Sequence, residues 1–214
     1  KSFPDALAAS SGCNVFVYSR FGYGGSSGCA LPRPVSYMHD EAGYLDDILA
    51  QVPGQAIILV GHSDGASIAT IYAGRPHNRE LQGLVLIAPH FFVEELTVSS
   101  IEKIKTVYEN TDLGQRMRKY HGDQAADVFR GWNDIWLDPA FRSWNICEYL
   151  KQLEVPVLVI QGDDDEYGST AQVDTAEQLV KQPVDVRYYN QCGHSPHTRY
   201  EPEICEEIAG FAVG

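Results

Sequence analysis

Positive charge is scarce in this sequence. Sixteen Lys and Arg stand against 29 Asp and Glu in 214 residues, a formal net charge of −13, and the isoelectric point is near 4.8. Such a chain lacks the basic face that a phosphate backbone requires, which excludes a general nucleic-acid binder. The acidity favours solubility and selects no substrate. No apolar run reaches the roughly 18 residues of a membrane span. Cysteine is also sparse: Cys13, Cys29, Cys147, Cys192 and Cys205 are too few and too scattered for a disulfide scaffold. No C-x-x-C pair is present, so neither a structural zinc site nor another metal is expected. An odd count leaves at least one free thiol, which favours a reducing, cytoplasmic compartment. Internal repeats and low-complexity linkers are missing too. The chain opens at Lys1 with no initiator Met and no basic-then-apolar leader, so its start is not expected to be a plain translation start.

What is present is an ordinary globular composition, 44% hydrophobic and 21% charged. Short β-branched runs alternate with helical patterns. Val15–Tyr18, Ala56–Val60, Leu84–Ile87, Val155–Ile160 and Val184–Tyr189 read as five strands. The continuous apolar run Ala56–Val60 is what a parallel strand buried on both faces needs. Between the strands, Ala42, Leu45, Ile48, Leu49 and Val52 recur at helical spacing, and Ala66–Ala73 is a small-residue helix. Ile204, Ile208, Phe211 and Ala212 mark a closing helix. Strands alternating with helices imply an α/β fold with a mostly parallel sheet flanked by helices.

Residues 91–150 break the rhythm, with helical signals at Ile101, Ile104, Val107 and Tyr108 and again at Val128, Phe129, Trp132, Ile135 and Trp136. This segment is expected to be a helical cap inserted into a core formed by 1–90 and 151–214. Trp132 and Trp136 pack that cap or contact a substrate; stripes of aromatics at helical spacing are more often core.

Gly61-His62-Ser63-Asp64-Gly65 carries the chemistry. It is a G-x-S-x-G run that ends a buried strand and opens a helix, the context in which such a serine is exposed on a sharp turn. Glycines at 61 and 65 would remove side chains that collide there. The helix N-terminus, with the backbone N–H of Asp64, would stabilise a developing oxyanion. A serine needs a base, and the base an orienting acid. Of seven histidines, His194 lies between the last strand and the last helix, at the carboxyl edge where α/β sites form. His197 is the alternative. His62 adjoins the serine and is expected to point elsewhere, into the substrate region. Asp163-Asp164-Asp165-Glu166 follows the preceding strand; it supplies the acid, or is a solvated turn or a metal loop without His ligands. Ser63, Asp165 and His194 stand 102 and 29 residues apart, in the order Ser…Asp…His.

Together these motifs resemble the α/β-hydrolase family from about Asn14 to the end of the chain. Ser19-Arg20-Phe21-Gly22-Tyr23-Gly24-Gly25-Ser26 is similar to the family's Asp-x-Arg-Gly-x-Gly-x-Ser turn, departing from it at Ser19 and Phe21. Gly162-Asp163-Asp164-Asp165 resembles its Gly-x-x-Asp acid motif, which selects Asp165, and Gly193-His194 its closing Gly-His. The resemblance implies a cofactor-free serine hydrolase acting on a small acyl substrate, a carboxylic ester first of all, through an acyl-enzyme. Carbon–carbon bond hydrolysis, cofactor-free perhydrolysis and a ligand-binding receptor on the same scaffold are the rival expectations. A serine at 63 argues against the dehalogenase and epoxide-hydrolase branches, which resemble this fold but carry Asp there. Family members also have upstream strands, one with a His-Gly-type loop that supplies a second oxyanion donor. Phe3–Ala9 resembles the helix after that loop. The expectation is therefore a piece of a longer protein whose first strands are absent, or else a reduced sheet that closes directly.

Overall fold

The computed structural model describes residues 2–54 and 56–213. Lys1, on which the expectation about the chain's start rests, lies outside them. In chain order the elements are α1 (Phe3–Ser11), α2 (Tyr37–Leu49), β1 (Ala56–His62), α3 (Asp64–Ala73), β2 (Glu80–Ile87), α4 (Glu95–Asn110), α5 (Leu113–His121), α6 (Ala125–Leu137), α7 (Cys147–Leu150), β3 (Val157–Gly162), α8 (Thr170–Leu179), β4 (Val184–Tyr189), α9 (Pro196–Arg199) and α10 (Glu201–Val213). Short 3₁₀ turns at Gly122–Gln124 and Pro139–Ser143 flank α6.

Two compact units emerge from this order. The first takes the chain up to Val17, then Met38–Phe92, and everything from Asn145 on; the second is Tyr18–Tyr37 with Val93–Trp144. The sheet belongs to the first. Its order is β1-β2-β3-β4, with every pair parallel, as expected when crossover helices join successive strands. Val85 and Ile87 of β2 and Leu158 and Ile160 of β3 face Leu7 of α1 and Ile204, Cys205 and Ile208 of α10. The alternate residues Leu84, Leu86, Val157 and Val159 are as completely buried, because strand side chains alternate between faces and both faces are covered. The small residues of α3 let it pack on β1 and β2. α1 starts on a reciprocal cap: the Ser2 backbone N–H and hydroxyl both donate to Asp5 Oδ2, at 3.1 and 2.8 Å.

One expected strand does not form. Val15–Tyr18 is irregular, with Phe16 53% and Val17 63% exposed, and the sheet has four strands among the described residues rather than five. β-branched and aromatic residues favour a strand only where a pleated, half-buried surface receives them. Among the described residues Val15–Tyr18 is not one of the strands of the sheet, and β1 pairs with β2 alone.

The second unit has its own core. Phe141 stacks on Trp144 with ring centroids 5.2 Å apart, and Trp136 meets both edge-on at 5.1 and 5.9 Å. The Gly- and Ser-rich stretch Tyr18–Tyr37 is tied to it: Gln124 Nε2 donates to the Ser26 carbonyl at 3.0 Å, and Gly24 N–H to His121 Nδ1 at 3.1 Å. Within that stretch Arg33 donates to the Phe21 carbonyl at 2.9 Å and lies over the rings of Tyr23 and Tyr37.

Candidate active site

Parallel strands deliver their following loops to one edge, and β1, β3 and β4 end in the three loops of interest. After β1 the chain turns abruptly into α3 at Ser63, whose φ of 55° and ψ of −123° lie in a region non-glycine residues rarely occupy, at a cost of about 1–3 kcal/mol. Ser63 N–H donates to the Ile87 carbonyl at 3.0 Å, pinning the turn to the end of β2. Gly61 is required: a Cβ there would lie 2.3 Å from the Gly65 carbonyl oxygen and 2.6 Å from Ala66 N. Gly65 differs from expectation, since a Cβ at that position meets nothing within 4 Å. Asp64, the first residue of α3, is buried at the helix N-terminus.

The acid turn after β3 and the loop after β4 are fastened together. Gly162 pairs with Tyr189 in the sheet, and beyond it Asp163 N–H donates to the Tyr189 carbonyl at 3.1 Å and Asp164 N–H to the Cys192 carbonyl at 2.9 Å. In return, Cys192 N–H donates to Asp163 Oδ1 at 3.2 Å and His194 N–H to Glu166 Oε2, also at 3.2 Å. A Cβ on Gly162 would sit 2.2 Å from the Cys192 carbonyl oxygen, so only glycine permits this approach. Asp163, Asp165 and Glu166 thus accept from the facing loop, while Asp163, Asp164 and Glu166 remain exposed to solvent. Among the described residues no group of three or more His, Cys, Asp or Glu side chains is arranged to hold a metal ion.

These ties bring Ser63, His194 and Asp165 into one hydrogen-bonded line. His194 Nε2 is 2.8 Å from Ser63 Oγ, and His194 Nδ1 is 2.9 and 3.0 Å from the two Asp165 carboxylate oxygens. A carboxylate only accepts, so Nδ1 carries the proton and Nε2 turns its lone pair to the serine. Asp165 is held by more than the imidazole. Its Oδ1 accepts from Tyr167 N–H at 2.8 Å and Gly168 N–H at 3.3 Å, and its Oδ2 from Gln161 Nε2 at 2.8 Å. Burial pushes its pKa up, but the hydrogen bond and charge of His194 and the Tyr167 N–H outweigh that, and the net shift is downward.

A profile of the family described as "serine aminopeptidase, S33" matches residues 3–203. The chain belongs to the α/β-hydrolase family. As an α/β-hydrolase it is 28% identical over 188 residues to a bifunctional esterase/perhydrolase of Acinetobacter calcoaceticus, an alignment covering 72% of this chain. The chain spans 65% of the length of that curated relative. Among solved structures it is similar to a bromoperoxidase from Bacillus anthracis, with a TM-score of 0.74, 17% identity and coverage of 99% of this chain and 86% of that one. An esterase from Rhodococcus sp. ECU1013 has a TM-score of 0.64 at 19% identity, covering 89% and 76%. At such identities these two structures speak for the α/β-hydrolase fold.

The remaining expected site residues fare differently. His62 does not project into open space: its Nε2 lies 2.7 Å from the His194 carbonyl oxygen, and its ring packs 5.0 Å from that of His194 and 4.5 Å from that of His197. Burial, and then the nearby His194 and His197, pushes its pKa down to about 3. Trp136 is 1% exposed and enclosed by Phe141 and Trp144, which leaves it no surface for a substrate; the packing alternative describes it. Trp132 is half-buried, its ring edge-on to Phe129 at 6.1 Å. His197 rests against Phe3 and His62, away from the serine–histidine line.

His90, on the loop after β2, was not expected. It is 2% exposed, its ring is 5.4 Å from His194, and its Nε2 donates to the Tyr167 carbonyl at 3.1 Å. Burial, then His194, pushes its pKa down to about 4. Gln161 was missed as well, although its Nε2 meets Asp165 only four residues on. Glu166 belongs to the expected acidic run, but no local pattern announces its tie to His194, 28 residues away.

Proposed function

We propose that this chain is a serine hydrolase that cleaves carboxylic esters or related acyl compounds through an acyl-enzyme. One observation carries the reading: His194 Nε2 is 2.8 Å from Ser63 Oγ while Asp165 holds the opposite ring nitrogen. Ser63 Oγ attacks the carbonyl carbon as its proton passes to His194 Nε2. The Asp165 carboxylate, already bonded to Nδ1, stabilises the imidazolium. The carbonyl oxygen becomes an oxyanion, stabilised by the Asp64 N–H and the N-terminus of α3. As the tetrahedral centre collapses, its bond to the leaving oxygen breaks and His194 returns the proton to that oxygen, releasing the alcohol. Water, deprotonated by His194, then attacks the acyl-Ser63 ester, and the acid departs as Ser63 recovers its proton.

The strained backbone of Ser63 supports this reading, because such strain is concentrated where a side chain must be presented in one direction. A fluorophosphonate probe tests it. Wild-type protein is expected to be labelled at Ser63 and Ser63→Ala to remain unlabelled; labelling of that variant at one other residue would refute the assignment. A panel of chromogenic esters of increasing acyl length then defines the substrate range. The Acinetobacter calcoaceticus relative, described as an esterase/perhydrolase, favours perhydrolysis as a second reading. In that reaction hydrogen peroxide replaces water as the nucleophile on the same acyl-serine, and peracid formation from an ester and hydrogen peroxide reports it directly.

A further inference from the structure

We infer that His62 and Glu166 are positioning residues that hold the main chain of His194 by its two polar atoms, an inference that rests on the hydrolase reading. The His194 N–H donates to Glu166 Oε2 at 3.2 Å, and the His194 carbonyl accepts from His62 Nε2 at 2.7 Å. A carbonyl oxygen only accepts, so the His62 tautomer is fixed with its proton on Nε2. The loop between β4 and α9 forms no regular structure, and its main-chain groups would otherwise turn to water. At His194 they are captured instead by side chains from the end of β1 and from the turn after β3, which lead to its partners. His62 is bonded directly to Ser63, and Glu166 directly to Asp165.

The imidazole of His194 is therefore located twice over. Its ring nitrogens meet Ser63 and Asp165, and its backbone is tied to the immediate neighbours of those same residues. The arrangement fixes where the His194 side chain begins, which the ring contacts alone do not. Gly193 keeps the acidic tie open, since a Cβ there would lie 2.7 Å from Glu166 Oε2. The competing account of His62 is plain ring packing against His194 and His197, which a side chain of similar bulk would satisfy without a donor.

The test compares His62→Phe with His62→Gln and Glu166→Ala with Glu166→Gln in the intact chain. The readouts are the rate of fluorophosphonate labelling at Ser63, kcat and KM for p-nitrophenyl butyrate, and thermal melting. His62→Phe and Glu166→Ala are expected to slow labelling and lower kcat by about 10–100-fold, the cost of a small misplacement of a reacting group, with KM changed less than about threefold. Gln at either position restores the donor or the acceptor and returns both rates to within about fivefold of wild type. Wild-type rates in the Phe and Ala variants would overturn the inference, as would Gln variants as slow as their Phe and Ala counterparts. Should His62→Phe fail to fold, the Glu166 pair decides alone. Failure of the wild type to label at Ser63 is a separate result, which removes the hydrolase reading and the inference with it.

Discussion

Two neutral histidines beside the serine–histidine line, His90 buried and His62 partly so, should make this protein labile to mild acid. His62 and His90 have pKa values pushed down to about 3 and about 4, from an ordinary 6.5, chiefly by burial. The unfolded chain protonates both near neutrality, whereas the folded chain resists until far lower pH. In the window between those values the unfolded state binds more protons, so stability falls as pH falls. Each such group contributes about 1.4 kcal/mol per pH unit once the unfolded histidine is fully protonated. For two groups the loss between about pH 6 and about pH 5 is about 2–3 kcal/mol, a large fraction of a typical domain stability of about 5–15 kcal/mol. His39 and His197, also shifted downward by burial, add in the same sense. Asp165, shifted downward from 3.8, loses its contribution only at lower pH and does not confuse the window. For a chain of this size the change corresponds to a drop in Tm of about 5–10 °C. Urea unfolding across the window measures it. His90→Gln, which keeps a donor for the Tyr167 carbonyl but cannot titrate, should flatten the dependence by about 1 kcal/mol per pH unit, whatever its stability at neutral pH. A flat wild-type profile, or a His90→Gln profile parallel to it, would refute the reasoning.

Other perturbations separate structural from chemical roles. Gly61→Ala forces a Cβ to within 2.3 Å of the Gly65 carbonyl oxygen, whereas Gly65→Ala meets open space; the first should abolish soluble expression or activity, and the second should leave Tm within about 2 °C of wild type. Asp165→Asn is expected to cut esterase kcat by about 10³–10⁴-fold by releasing the Nδ1 tautomer, with a near-wild-type circular dichroism spectrum. Trp136→Ala should destabilise the chain by about 3–5 kcal/mol, read by urea denaturation, because the ring fills the space between Phe141 and Trp144. A loss under about 1 kcal/mol would deny Trp136 its place in that core.

The site was legible where a local motif has one physical purpose. The turn at Ser63 showed itself because an apolar strand, a small residue at 61 and a small-residue helix follow in immediate succession, although that strand is only partly buried, with Val60 40% exposed, rather than buried on both faces as expected. Gly162 and Gly193 stood out only through the resemblance to the family's Gly-x-x-Asp and Gly-His motifs; in the structure both sit where a Cβ would strike the facing loop. The strand expected at Val15–Tyr18 was misread because propensity describes the side chains and not the partner they need. The roles of His90 and Glu166 were invisible for the opposite reason, because each meets a main-chain atom of a segment distant in sequence. Gln161 reaches Asp165 only four residues away, but nothing in its neighbours distinguishes it from an ordinary buried polar group. The Gly- and Ser-rich run Ser19–Ser26 suggested a turn, yet the grouping of Tyr18–Tyr37 with Val93–Trp144 includes hydrogen bonds across about a hundred residues.

The close apposition of Gly162 with Cys192 and of Gly193 with Glu166 bears on how the protein can be re-engineered. A loop graft that replaced only the stretch after β3, or only the stretch after β4, would bring an unmatched backbone against its counterpart. The two segments have to be exchanged as a single cassette, with their glycines and carboxylates together.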